Sequence, residues 1–237
     1  MTYLLLFSGG FIAAAISGAA GFGGALLLLP LLIQTVGTEI SVPVLTIAQL
    51  IGNLSRVYFG YKEISWRPVR LFLVGAIPMS IIGAFSFVAI PKEIVSKLIG
   101  FAVIGFVILK YYQIIKIENN NRVMILGGGF VGLLSGLVGS AGPIGAALFL
   151  SLNLSPISYI ASEAVTAVAM HVTKTIVYQK YLGIGLKAVK LGLFIGASMI
   201  VGTWVGKKVI GKLPKETFVK FVTLLLVGMG LVLIFWG

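Results

Sequence analysis

The sequence begins with 38 residues that contain no charged side chain, and its first charge is Glu39. A charge-free apolar stretch of this length is typical of a chain that enters a lipid bilayer. The remaining sequence has the same character, because 59% of all residues are hydrophobic and only 10% are charged. Soluble domains carry about 25% charged residues, which help to cover their surface. The sequence therefore predicts an all-α, multi-pass protein of the cell (cytoplasmic) membrane.

Six segments have the roughly 20 apolar residues that a membrane-spanning helix needs. They are 41–60, 68–89, 93–115, 156–178, 187–207 and 215–236. Two further apolar segments, 2–36 and 123–153, are too long for one crossing and too short for two comfortable ones. A glycine cluster interrupts each of them, so we expect a broken helix pair in each segment and about ten helical segments in all.

The two glycine clusters share the pattern S-G-x-x-G-x-[GA]-G, at 17–24 and 135–142, with an offset of 118 residues. A polar linker, 116–122, lies halfway along the chain. We therefore predict two pseudo-symmetric repeats, 1–117 and 118–237. Each would contain a broken helix pair and three full transmembrane helices, and the two together would form one transport domain.

The number of crossings in each repeat decides how the repeats are related. If the broken pair enters the membrane and returns, the number is odd and the repeats are inverted, whereas one long kinked span would make them parallel. The basic residues of the loops do not separate the two arrangements. A continuous helix over the first apolar segment would be about 52 Å long, well beyond the bilayer core, which favours inverted repeats.

The glycine motifs and their surroundings resemble the TauE/SafE family of sulfite and organosulfur-anion exporters or permeases. The resemblance rests on the doubled motif, on Pro30 after the first copy, on Gly142-Pro143 in the second and on the basic loop at 64–67. It covers the whole chain. The sequence departs from the family at Ala25, where a third glycine is common, and at Ser140-Ala141, where glycines are also common. The resemblance implies a transporter of a small anion.

The helix breaks are the first candidate for the substrate site. A break inside the membrane is tolerated where it lines a cavity or is covered by protein, and transporters direct the free N–H groups of such half-helices at anions. We expect these half-helices to begin near 22–25 and 142–144. The alternative is that the glycines only allow close helix packing, as we expect for 127–129. The candidates are Ser17, Gly18, Gly21, Phe22, Gly23, Gly24, Ser135, Gly136, Gly139, Ser140 and Gly142.

Polar side chains on span 41–60 are the second candidate. Thr46, Gln49, Asn53 and Arg56 lie at helical spacing on one face. Gln49 and Asn53 can donate to an anion without burying a charge. Arg56 either contacts the substrate or reaches the membrane surface as a cation that marks the cytoplasmic side.

The matching span, 156–178, carries three further candidate substrate ligands, Thr166, His171 and Lys174. It also carries Glu163, the only acid well inside any span, which is a candidate for proton coupling together with His171. The alternatives are an ion pair between Glu163 and another helix, and a packed, hydrogen-bonded histidine. Glu163 and Lys174 are about 16 Å apart along the helix axis, so we expect no direct pair between them.

The residue inventory argues against an enzyme. The chain has no cysteine, no aspartate and one histidine, so we expect no catalytic residue, metal site or cofactor. The net charge of +12 suits cytoplasmic loops, and we expect no nucleic-acid partner.

No ATP-binding loop is present, which favours a secondary active transporter. We predict that it moves sulfite, a sulfonate or a related anion, held near the midplane at both breaks. Its partners would be this anion, the lipid bilayer and, as the candidate coupling ion, protons. The alternatives are a passive anion channel or a permease for another small carboxylate or oxyanion.

Overall fold

The computed structural model describes residues 2–22, 24–86, 101, 104–105, 108, 120–138, 141–182, 184–210 and 212–236. The described residues are helical and contain no strand, so the all-α prediction is confirmed. The elements are α1 (Thr2–Ala20), α2 (Gly24–Val36), α3 (Thr38–Gly60), a 3-10 turn (Tyr61–Glu63), α4 (Trp66–Phe85), α5 (Asn121–Val138), α6 (Gly142–Leu150), α7 (Pro156–Leu182), α8 (Leu186–Ile210) and α9 (Lys215–Trp236). The predicted span 93–115 lies outside the described residues except for four isolated positions.

Both overlong apolar segments are broken where the glycine clusters lie. Between α1 and α2, Gly21 has a φ of 84°, a left-handed backbone that glycine adopts readily. A Cβ at Gly21 would also lie 2.5 Å from Cε1 of Tyr159. In the second segment α5 ends at Val138 and α6 begins at Gly142, with Pro143 in a first turn where its missing N–H is tolerated. The break between the helices of each pair is therefore as predicted.

Helix length separates full spans from half-helices. Within the described part of the chain, four helices are long and apolar enough to cross a membrane, and they lie at Thr2–Ala20, Ile40–Glu63, Trp66–Phe85 and Leu186–Ile210. With 13 and 9 residues, α2 and α6 are about 20 and 14 Å long and cannot cross a hydrocarbon core of about 30 Å. Each short helix therefore reaches only part of the way through the membrane.

Helices α3 and α7 pack against each other, and each contacts helices from the opposite half of the chain. Helix α8 packs on α3 and α1, and α4 packs on α7 and α5. The 118-residue offset equates α1 with α5, α3 with α7 and α4 with α8. Under this correspondence, the packing of α8 on α3 and α1 is equivalent to the packing of α4 on α7 and α5. The two halves are thus interlocked, and whether they are inverted repeats stays a prediction.

The direction of α3 relative to α7 is set by contacts at both of their ends. Gly60, at the end of α3, lies beside Ala161 near the start of α7. At the other end, Val42 packs against Val177 and Tyr178. The two helices therefore run antiparallel.

Glycines allow the closest helix contacts. A Cβ at Gly136 would lie 2.5 Å from the backbone nitrogen of Ala84 on α4, so these two backbones touch. The glycines of the predicted packing stretch 127–129 differ in how closely they are packed. Gly128 also faces the α4 backbone, whereas a Cβ at Gly129 would make an ordinary contact at 3.5 Å. Small residues thus draw α4 against α5, as expected in membranes.

Candidate functional site

A cavity of about 40 Å³ lies where the two helix breaks meet α3 and α7. By the space that a buried water molecule needs, it holds about three waters, which is the size range of a small inorganic anion. We call it the central cavity. Its wall consists of Ser17, Phe22, Gly24, Ala25, Gln49, Asn53, Arg56, Val131, Ser135, Ala141, Gly142, Gly145, Glu163, Thr166, Ala167, Met170 and His171.

The half-helices α2 and α6 begin at this cavity. Gly24 is the first residue of α2, and Gly142 is the first residue of α6. The N-terminus of a helix carries a partial positive charge, and its first N–H groups lack partners in the preceding turn. In α6 the N–H of Ile144 donates to the Ala141 carbonyl at 3.2 Å and Pro143 has no N–H, so among its first three residues Gly142 is the one that can offer an N–H to a ligand. A Cβ at Gly24 would lie 3.1 Å from Nε2 of Gln49 and 3.2 Å from Oγ of Ser17, so a glycine here lets the start of α2 approach both polar groups closely.

The polar face of α3 points into the protein. Gln49, Asn53 and Arg56 are four and three residues apart, which places them on one side of the helix. All three are buried, with 2–5% of their surface exposed. Arg56 therefore does not extend to the protein surface, and the alternative that it is a surface-reaching cation is wrong.

Arg56 joins the first helix break to α7. Its Nη1 donates to the carbonyl oxygens of Ser17, at 3.5 Å, and of Gly21, and its Nη2 donates to Oδ1 of Asn53. Nη1 also lies 3.1 Å from Oε2 of Glu163 and forms an ion pair in which both side chains are 4% exposed. The ion-pair alternative for Glu163 is therefore confirmed, and its part in proton coupling stays a prediction.

Lys174 makes the corresponding contact in the second half of the chain. Its Nζ donates to Oγ of Ser135 at 3.0 Å and to the Ser135 carbonyl oxygen at 3.4 Å. The pairs Ser17–Arg56 and Ser135–Lys174 both span 39 residues and are related by the offset of 118. Each cation thus binds the C-terminal end of the helix that precedes the break in its own half, where helix carbonyls carry partial negative charge. Lys174 does not contribute to the wall of the central cavity.

Three buried nitrogen atoms of the cavity wall have no hydrogen-bond partner among the described residues. They are Nε2 of Gln49, Nε of Arg56 and Nδ1 of His171. Buried polar atoms without a partner are rare in proteins because they have lost their water and gained nothing in return. Two of these atoms carry N–H donors, and the histidine nitrogen is a donor or an acceptor according to its tautomer. The cavity can therefore bind a ligand rich in acceptor oxygens.

Comparison with known protein families identifies the chain. A family model described as "Sulfite exporter TauE/SafE" matches residues 6–233. The chain belongs to the TauE/SafE family. Searches of curated proteins and of solved structures found no match. TauE/SafE proteins are membrane exporters of sulfite or organosulfur anions, so this chain is a multi-pass membrane protein of a transporter family.

Most of the predicted site residues of this TauE/SafE protein meet at the central cavity. Those in its wall are Ser17, Phe22, Gly24, Gln49, Asn53, Arg56, Ser135, Gly142, Glu163, Thr166 and His171. Gly18, Gly21, Gly136 and Lys174 lie outside the wall. Gly18 packs against the backbone of α8 and Gly136 against that of α4, because both serve close helix contacts. Gly23, Gly139 and Ser140 lie outside the described residues.

The wall of the TauE/SafE cavity also contains residues that sequence reasoning missed. They are Ala25, Val131, Ala141, Gly145, Ala167 and Met170. Ala167 occupies the position that the 118-residue offset equates with Gln49, and this signal could have found it. Ala25 and Ala141 lie at or next to the predicted starts of the half-helices, and Ala141 is the motif position that the offset equates with Gly23, so the sequence also pointed to them. Val131, Gly145 and Met170 lie in apolar helices, and nothing in the sequence separates them from ordinary core residues.

Proposed function

We propose that this TauE/SafE protein is a secondary active transporter that carries a small sulfur-containing anion across the cytoplasmic membrane. The anion would occupy the central cavity. One observation carries the proposal: a single cavity borders the starts of both half-helices, and its wall holds a guanidinium group and buried nitrogen atoms that have no partner among the described residues. Helix N-termini, N–H donors and a cation all favour the same kind of ligand, an oxyanion.

The charges of the wall support coupling between the anion and a proton. Arg56 and Glu163 are the charged side chains of the wall, and they neutralise each other. An anion that binds Arg56 competes with the Glu163 carboxylate. For a singly charged anion such as hydrogensulfite, proton transfer to Glu163 would remove this competition and keep the occupied cavity neutral, and the proton would leave with the anion. His171 lines the same cavity and is the second candidate for the proton site.

The size of the cavity supports a small substrate. A volume of about 40 Å³ suits the four heavy atoms of sulfite better than taurine or sulfoacetate. We therefore propose sulfite as the first substrate to test. Larger organosulfur anions would need the cavity to widen.

We further propose that residues 1–117 and 118–237 are inverted repeats of one transport domain. Two observations support this. The equated helices α3 and α7 run antiparallel, and α2 and α6 are too short to cross the membrane. A two-fold axis in the membrane plane relates helices in this way, and such repeats commonly underlie alternating access.

The absence of native cysteine gives a direct test of this topology. Single cysteines at Thr2 and at Asn120, in the linker, would be labelled from one side of sealed vesicles with a membrane-impermeant maleimide. If the broken helix pair enters the membrane and returns, the three full spans of the first repeat are the crossings between these two positions. The two cysteines should then react from opposite sides. Reaction of both from the same side would contradict the inverted repeats.

Transport is tested with purified protein in proteoliposomes. Uptake of sulfite, sulfate, thiosulfate, sulfoacetate and taurine would be measured with and without an imposed pH gradient. We expect sulfite to accumulate above its external concentration only when the gradient is present. Equilibration without accumulation would instead indicate a passive channel, and no uptake of any of these anions would contradict the proposal.

A matched pair of variants tests the site. Gln49→Leu removes an unpartnered donor from the central cavity, whereas Gln34→Leu changes an exposed glutamine on α2. A hydrogen bond to a charged group contributes about 1.5–3 kcal/mol, so Gln49→Leu should raise the KM about tenfold or more. Equal KM values for the two variants would place the substrate elsewhere.

A further inference from the structure

A second cavity, of about 20 Å³, lies beside the central cavity. Its wall includes Gly60, Ile157 and Ile210, which lie at the end of α3, near the start of α7 and at the end of α8. These helix ends meet at one end of the bundle. Arg56 belongs to the walls of both cavities. The second cavity, which we call the outer cavity, therefore lies between the central cavity and one membrane surface.

Two residues of α8 with polar side chains border the outer cavity. Thr203 and Lys207 are four residues apart on one side of this helix, and both belong to the wall. Thr203 is 1% exposed, and its Oγ1 has no hydrogen-bond partner among the described residues. The Nζ of Lys207 donates to the carbonyl oxygen of Phe59 and lies 5.8 Å from the centre of the Phe59 ring.

We propose that the outer cavity is a second anion site, through which the substrate passes between the membrane surface and the central cavity. The inference rests on the proposed function. The Lys207 ammonium and the Thr203 hydroxyl would bind a small oxyanion, and Arg56 would receive it next. Arg56 and Phe59 are one turn apart on α3, about 4.5 Å along its axis, so the transfer needs only a short movement.

The outer cavity must widen to hold the anion. Its volume corresponds to one or two water molecules. Lys207 can make the space, because a flexible four-carbon stem carries its ammonium and its partner is a single neutral carbonyl. An anion offers this ammonium a stronger, charge-assisted hydrogen bond than the Phe59 carbonyl does.

A purely structural role explains only part of this arrangement. Lys207 lies in the last turn of α8, where a cation is favourable beside the helix carbonyls. That role does not account for the Thr203 hydroxyl, which is buried without a hydrogen-bond partner among the described residues in the wall of the same cavity. A ligand with acceptor oxygens satisfies both groups.

The charge distribution indicates which membrane surface the outer cavity faces. Basic residues are concentrated at this end of the bundle, and basic residues mark the cytoplasmic side. We therefore infer that the outer cavity faces the cytoplasm, where an exporter first meets its substrate. The basic residues are Lys62, Arg67, Arg70, Lys208, Lys212 and Lys215.

The test compares two neighbouring lysines. Lys207→Gln removes the ammonium of the outer cavity, whereas Lys208→Gln removes an exposed ammonium that lies 3.5 Å from the centre of the Trp204 ring. Initial rates of sulfite transport would be measured against sulfite concentration, with sulfite supplied from either side of oriented proteoliposomes.

We expect Lys207→Gln to raise the KM about tenfold from the cytoplasmic side only, and Lys208→Gln to change it less than twofold. Thr203→Val should raise the same KM several-fold. Lys207→Arg should have nearly the wild-type KM, because the charge and the donor are kept. If Lys207→Gln does not fold, Thr203→Val and Lys207→Arg still test the inference through their KM values. Equal KM values for Lys207→Gln and Lys208→Gln would overturn the inference. Wild-type protein that does not transport sulfite would instead overturn the proposed function.

Discussion

The ion pair between Arg56 and Glu163 gives the sharpest prediction about stability. In Glu163→Gln the guanidinium keeps three neutral acceptors, the carbonyls of Ser17 and Gly21 and the side-chain oxygen of Asn53. The variant therefore loses one charged hydrogen-bond partner, which contributes about 1.5–3 kcal/mol. Arg56→Met leaves a buried carboxylate without its cation and removes the donors at the helix break, so we expect a loss of about 3–5 kcal/mol.

Thermal unfolding in detergent measures this difference. For a chain of this length, 1 kcal/mol corresponds to about 2–4 °C in Tm. Glu163→Gln should therefore lower Tm by about 3–12 °C, and Arg56→Met should lower it further. Adding Glu163→Gln to Arg56→Met removes the unpaired charge, so the double variant should be more stable than Arg56→Met alone. Stability losses that simply add would refute the argument that the two groups stabilise each other.

The transport of Glu163→Gln then separates a structural role from a role in proton coupling. If the carboxyl carries the proton, the amide holds that position neutral, and uptake should lose its dependence on the pH gradient while anion exchange survives. A variant that is destabilised but keeps wild-type pH dependence would limit Glu163 to its ion pair. Wild-type stability, rate and pH dependence together would contradict both roles.

Glycine substitutions test the cavity and the packing separately. Gly24→Ala should raise the KM for the anion about tenfold, because its Cβ would crowd Nε2 of Gln49 and Oγ of Ser17 and displace these groups of the central cavity, whereas Gly145→Ala has only one ordinary contact and should change the KM less; transport assays compare the two. Gly136→Ala should lower Tm strongly because its Cβ meets the α4 backbone, and a Tm similar to that of Gly129→Ala would contradict this. Gly21→Ala should lower the free energy of unfolding by about 1–3 kcal/mol, because alanine adopts the left-handed backbone of this position only with strain; a melting curve would detect the change.

The sequence predicted the helix breaks because glycine in an overlong apolar segment has a direct local consequence. Gly21 adopts a backbone that other residues avoid, and Gly142 begins a short helix with a proline in its first turn. The central cavity also followed from the sequence to a large extent, because two clusters with one motif imply two related places in the fold. Local patterns were sufficient for both.

The partners of charged side chains did not follow from the sequence. Arg56 lies about one turn from the end of α3. At this position the sequence pattern is the same for a cation that reaches the surface and for one that is buried. Only the packing of α7 against α3 brings Glu163 to within 3.1 Å of it. Thr203 and Lys207, the residues of the proposed outer site, did not follow from the sequence for a related reason. They belong to a helix that has the composition of an ordinary span, and the contact of Lys207 with Phe59 is a property of the fold.

The two halves of the site have the same plan but different charges. The 118-residue offset equates Arg56 with Lys174 and Ser17 with Ser135, so each half contains a cation that binds its own helix break. The same offset equates Glu163 with Leu45, which is buried and apolar. In the first half, the cation Arg56 forms an ion pair with Glu163 in the wall of the central cavity. Two identical repeats would present the same side chains to a substrate that approaches from either side of the membrane. Because Glu163 has a leucine as its counterpart, the two approaches are not equivalent. Because an acid at one position cannot arise from the repeat itself, we attribute any difference between the two directions of transport first to the Arg56–Glu163 pair.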